Sequence, residues 1–235
     1  MPSAGWWPHG RQIDLLYRLF YIDASEASMR NKDPGARDKI IDAAISLMRR
    51  SGLSGAGINE IVLESGAPKG SIYYFFPQGK RQIVSEALAI YARRGMTAWG
   101  QALSTAEEPG KKIHALFKGI AARTEQSQYR ASCAAGAVSL DLDGDLEVVR
   151  VAIADAFSQW IELISLHFPI RNTVRRKSFA GLVLTVIEGA FIRARAERSA
   201  KSFDDAAGWL AEIAEREVAQ SLRAPRRRRR RDARR

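Results

Sequence analysis

The chain has 235 residues, of which 46% are hydrophobic, so one large or two small domains with a sizeable core can form. Its single cysteine, Cys133, excludes an intramolecular disulfide framework and a cysteine-built structural zinc site, and fits a reducing, cytoplasmic setting. The net charge of +11 is unevenly spread: Arg226 to Arg235 hold eight arginines and one aspartate, contributing +7 and leaving +4 for the remainder.

Residues 1–36 read as an N-terminal extension. Met1 to Gly10 carries Trp6, Trp7, two prolines and two glycines, which suits no regular element, whereas Arg11 to Ile22 has the apolar spacing of a short amphipathic helix. The segment lacks the long uncharged apolar stretch and small-residue cleavage site of a secretory signal. Met29 is followed by Arg30, Asn31 and Lys32, the start of a basic arm, and translation is expected to begin there.

From Arg37 the pattern is helical. Ile40, Ile41, Ala44, Leu47 and Met48 recur at the spacing of one buried face, and Ser51-Gly52 ends that helix with Arg49 and Arg50 in its last turn. A shorter pattern in Ile58, Ile61 and Val62 stops at Ser65-Gly66, and Lys69 to Phe76 follows Pro68. A fourth helix is predicted from about Lys80 to Arg94, burying Ile83, Val84, Ala87 and Leu88. Further helices are predicted over Ile113 to Arg123, Leu146 to Phe168, Arg176 to Glu197 and Phe203 to Leu222. No alternating run marks a strand and no run approaches 18 apolar residues, so the fold class is all-α and no membrane span is expected. The domains expected are a helix-turn-helix unit over residues 37–92, a helical ligand-binding and dimerisation unit over 93–222, and an arginine-rich tail over 223–235.

The segment from Arg37 to Leu88 has small residues between its second and third helices, as a helix-turn-helix needs where two backbones cross steeply. Gly66 supplies the permissive turn position, Ala67 a small contact, and Pro68 pre-sets the backbone for the next helix. In the short third helix Ile72 and Phe76 sit four apart and face inward. That leaves Lys69, Ser71, Tyr73, Tyr74 and Phe75 mostly outward, a surface suited to phosphates and base edges, with Gly70 leaving room for close approach.

The run Gly66-Ala67-Pro68-Lys69-Gly70-Ser71-Ile72-Tyr73-Tyr74-Phe75-Phe76-Pro77, followed by Gly79-Lys80, resembles the signature of the TetR family and its subgroup of LmrA and YxaF regulators. The resemblance implies DNA contacts from Lys69, Gly70, Tyr73 and Tyr74, with Ser71 and Phe75 on the same helix. It also implies a phosphate contact from Lys80 and an approach of Asn59 to the DNA backbone. Phe75 stands where many relatives have His, and Ala56-Gly57 where a Thr or Ser often caps the second helix. The resemblance further implies a homodimer built on the last two helices, an operator as double-stranded DNA partner, and a small-molecule inducer. Candidate pocket walls are Trp99, Phe117, Cys133, Phe157, Trp160 and Ile161.

Asp141 to Glu147 invites a calcium reading, which fails because the sixth and twelfth positions are Leu146 and Ala152. Those acids are expected to cap the following helix instead. His9, His114 and His167 are scattered, and no nucleophile elbow, phosphate loop or dinucleotide fingerprint occurs, so neither an enzyme nor a cofactor is expected. The expected function is a ligand-released repressor. The alternative is a weakly specific, architectural DNA-binding protein driven by its arginine tail.

Overall fold

The computed structural model describes residues 34–144 and 146–223, and among these every regular element is a helix. Residues 1–33 of the expected 1–36 extension, with its short helix, basic arm and internal start, lie outside the described residues, as does the expected tail from Ala224; residues 34–36 and Arg223 belong to helices.

Helix α1, Pro34–Ser51, buries Ile40, Ile41, Ala44 and Met48 and ends at Gly52, whose φ of 65° reverses the chain. Two short helices follow, α2 over Ile58–Ser65 and α3 over Lys69–Phe75. Helix α4, Lys80–Leu103, runs well past the Arg94 end predicted from sequence, because Trp99 and Leu103 continue its buried face. Helix α5, Pro109–Gln126, opens on a proline, where the missing N–H costs nothing. Helix α6, Ala134–Ser139, is too short to show a period and was not expected. Three long helices complete the chain: α7, Glu147–Leu166; α8, Thr173–Glu197; and α9, Lys201–Arg223.

Helix α4 joins the two ends of the molecule. It packs on α1 near its start and on α5 and α7 further along, while α8 lies on α7 and α9, and α9 on α5. Gly95 eases the contact of α4 with α7, since a Cβ there would lie 3.0 Å from the Trp160 indole nitrogen. Trp160 is almost fully buried and its indole N–H donates to the Ala92 carbonyl at 3.1 Å, so its polar edge is satisfied inside the core.

The acidic turn before α7 behaves differently from the sequence reading. The N-cap position of α7 is Leu146, without a side-chain cap bond, and Asp141 instead accepts from the Ser54 backbone N–H at 3.0 Å and hydroxyl at 2.7 Å. Both bonds stabilise the charged form and hold the Asp141 carboxyl below its usual range. Asp141 therefore clasps the loop after α1 rather than capping α7. The same end of α1 is tied to the body by Arg49 Nε donating to the Ser132 carbonyl at 3.0 Å and by Arg195 donating to the Arg50 carbonyl at 2.8 Å.

Candidate nucleic-acid interface and inner cavity

Helices α2 and α3 are too short to be stable alone, so their geometry comes from the turn between them and from α1 and α4 behind them. At the turn Gly66 adopts the left-handed conformation, φ 65° and ψ 7°, and its N–H donates to the Val62 carbonyl. The Ser65 hydroxyl accepts from the Ala67 N–H at 3.2 Å, and Ala67 is buried in the angle of the two helices. Pro68 then precedes α3 with φ −57°. Ile61, Ile72 and Phe76 point into the core and are fully buried, as their spacing predicts.

Burial of that side fixes what remains outside. Lys69 and Gly70 are exposed, Tyr73 and Tyr74 are 53% and 38% exposed, and Ser71 is half-buried. Phe75, expected among the outward aromatics, is also half-buried: it packs on the core and meets Tyr74 edge to face at 5.0 Å. Space beside Gly70 is open to 4 Å around the position a Cβ would take. Asn59, exposed in the first turn of α2, accepts from the Lys69 ammonium at 3.4 Å, which places both side chains on one surface. No side chain caps α2 at Gly57.

Lys80, expected to reach a phosphate, donates to the Leu53 carbonyl at 2.7 Å. Its partial burial pulls its pKa below the ordinary lysine value. The ammonium keeps two further N–H donors, so this bond leaves a phosphate contact open to it. The scaffold behind α3 is braced by Arg37, which pairs with Glu86 and lies 5.5 Å from the Phe76 ring centre, and by Arg50 with Glu64 at 2.8 Å. Leu63, on the outward side of α2, is 85% exposed and was not singled out by its spacing.

A cavity of about 300 Å³ lies among α1, α4, α5, α7 and α8. Of the six expected wall residues, Trp99 and Trp160 line it, their ring centres 5.1 Å apart. Phe117 packs against Phe203, Phe157 and Ile161 are half-buried against the core, and none of the three lines this cavity. Cys133 does not line it either. It is the N-cap of α6, where its sulfur accepts from the Gly136 N–H at 3.5 Å. Beside it lies Glu188, whose Oε1 is buried without a hydrogen-bond partner among the described residues and whose carboxyl burial pushes up to about 7. Burial, then the neighbouring Glu188, raises the Cys133 thiol.

Sequence reasoning did not find the polar part of the wall: Arg49, Arg94, Arg123 and Tyr91. The arginines stand on three separate helices, so no local spacing links them. Tyr91 carries a weak signal, lying three residues beyond buried Leu88 on α4. Among the described residues no group of three or more His, Cys, Asp or Glu side chains is placed to hold a metal, and no helix is long and apolar enough to cross a membrane.

Residues 40–87 match the family described as bacterial regulatory proteins, tetR family. Residues 109–208 match the C-terminal domain of LmrA/YxaF-like transcriptional regulators. The chain belongs to the TetR family. LmrA of Bacillus subtilis (strain 168), an HTH-type transcriptional regulator, is 29% identical over 161 residues, spanning 67% of this chain and 85% of LmrA. The fold of this TetR protein matches that of the TetR regulatory protein from Rhodobacter sphaeroides, with a TM-score of 0.68 at 17% identity over 75% of this chain and 97% of that one. It also matches a cysteine mutant of CifR, a TetR family transcriptional regulator complexed with 26-bp double-strand operator DNA. That TM-score is 0.66 at 18% identity, over 78% of this chain and 97% of CifR. This TetR protein is thus a DNA-binding transcriptional regulator and not an enzyme.

Proposed function

We propose that the protein is a ligand-released repressor that binds a near-palindromic operator as a homodimer, in a cytoplasmic setting. The observation that carries the reading is the exposed face of α3, where Lys69, Gly70, Tyr73 and Tyr74 stand on a helix whose other side is fully committed to the core. In this reading the helix-turn-helix unit, residues 37–92, places α3 in the major groove. Tyrosine rings meet base edges there, Lys69 and Asn59 face phosphates, and Ser71 and Phe75 set the seat of the helix.

The dimer reading rests on α8. Val174, Leu182, Thr185, Gly189 and Ile192 recur along one side and are all exposed in the single chain, although the opposite side of the same helix is buried. Trp209 on α9 is 72% exposed. A helix apolar on two sides needs a second partner surface, and a twofold axis supplies one. Residues 93–222 form the dimerising unit in this reading, and two copies present their α3 helices to successive major grooves about 34–36 Å apart. The cavity, with Trp99 and Trp160 in its wall, takes the inducer, which favours a spacing of the two α3 helices that the operator does not fit.

Footprinting on the DNA upstream of the protein's own gene tests this. A protected near-palindrome with two half-sites one helical turn apart is expected. Protection without half-site symmetry, or spread evenly over the fragment, contradicts the proposal.

A further inference from the structure

The cavity wall has a charge bias that its aromatic content does not explain. Three of its residues are arginines, and among the described residues no carboxylate lines it. Its inner surface is apolar: Trp99, Trp160 and Phe191 are buried, and Tyr91 stands edge-on to Trp160 at 5.8 Å. Arg49 lies 5.9 Å from the Tyr91 ring centre, so its guanidinium borders the aromatic surface. Arg94 and Arg123 are exposed and form the outer part of the wall. A cavity apolar within and cationic at its rim matches one kind of molecule.

We propose that this cavity binds a small organic anion, a carboxylate carried on a flat or apolar body, and that its acid group takes Arg94 from Asp42. The proposal rests on the reading of the cavity as the inducer site and names the class of inducer. At about 300 Å³ the space is at the small end of ligand pockets, which favours a compact body over an extended one. Guanidinium binds carboxylate in a planar fork, and an arginine cluster over aromatic rings recognises both parts of such a ligand.

The link to α1 gives the binding a consequence. Arg94 on α4 now pairs with Asp42 on α1 at 2.6 Å, and both side chains are more than half exposed. Ile45 and Arg49, one and two turns further along α1, are themselves part of the wall. A ligand carboxylate on Arg94 therefore replaces an α1–α4 tie with a contact inside the cavity. Because α1 backs α2 and α3, losing that tie alters how the DNA-reading face is held.

The test is calorimetric titration of the full chain with a panel of aromatic and medium-chain monocarboxylates, each beside its neutral primary amide. At least one acid is expected to bind about tenfold or more tightly than its amide. Arg94→Gln with Arg123→Gln removes that preference, lowering acid affinity more than amide affinity. Asp42→Asn frees Arg94 and raises acid affinity severalfold without changing the amide, a gain that loss of structure cannot mimic. The proposal is overturned if no acid on the panel binds better than its amide, or if Asp42→Asn leaves acid affinity unchanged. Operator release is read separately. Neutral ligands that bind and release DNA leave the repressor reading standing and remove the anion, whereas acids that bind through arginine without releasing DNA do the reverse.

Discussion

Tyr73 and Tyr74 occupy consecutive outward positions of α3, next to Lys69 and the open space at Gly70. A ring that meets a base edge discriminates between sequences, whereas an ammonium that meets a phosphate does not. Tyr74→Ala is therefore expected to cost about 1–3 kcal/mol on the operator and little on random duplex, read by fluorescence anisotropy on both. An equal loss on the two DNAs removes its base-reading role. The inward members of α3 were legible because Ile72 and Phe76 sit four apart, but the half-burial of Phe75 depends on the shape of a core assembled from distant helices. The cavity arginines were illegible for the same reason.

Glu188 supplies a pH-dependent prediction. Burial pushes its carboxyl up to about 7 from an ordinary value of 4.5. Between those two values the folded chain holds a proton that the unfolded chain has lost. Stability from this group is thus fully present below the lower value and lost as the pH rises through the upper one. Glu188→Gln keeps the neutral shape at every pH, so it should match the wild type in acid and exceed it above neutrality by up to about 3 kcal/mol. Urea denaturation from about pH 5 to pH 8 reads the difference; curves that stay parallel across that range contradict it.

At the scale of elements, α1, α2 and α3 were legible because amphipathic spacing and glycine punctuation agree there. The turn at Gly66 is the sharpest case. It is left-handed with nothing within 4 Å of a would-be Cβ, so the cost of a side chain is conformational alone. Gly66→Ala should lose about 1–2 kcal/mol in thermal or urea unfolding, and Gly66→Asn should recover part of it. A neutral Gly66→Ala would show that the turn relaxes into another conformation. Less was legible further on. Helix α6 spans fewer than two turns, and the Arg94 end expected for α4 ignored Trp99 and Leu103. The acids before α7 carried a capping signal that local sequence could not correct, because the donor that Asp141 finds, Ser54, is 87 residues away.

For the whole molecule, charge is a poor guide and arrangement a good one. Most of the excess positive charge lies after Pro225, whereas the residues of the proposed DNA-reading face lie between Gly66 and Phe76. In the same reading the arginine tail adds phosphate neutralisation, which would strengthen binding to every sequence and steepen its salt dependence. In the proposed reading the α3 surface adds discrimination, and the exposed side of α8 is where a second copy would dock to place two such surfaces on one duplex. These contributions separate in one measurement: the affinity of the intact chain, and of a chain ended after Ala224, for the footprinted operator and a scrambled duplex at two salt concentrations. The predicted result is an operator preference of about a thousandfold or more that survives removal of the tail, while both affinities fall and the salt slope flattens. Equal affinity for the two duplexes, lost together with the tail, would contradict the account.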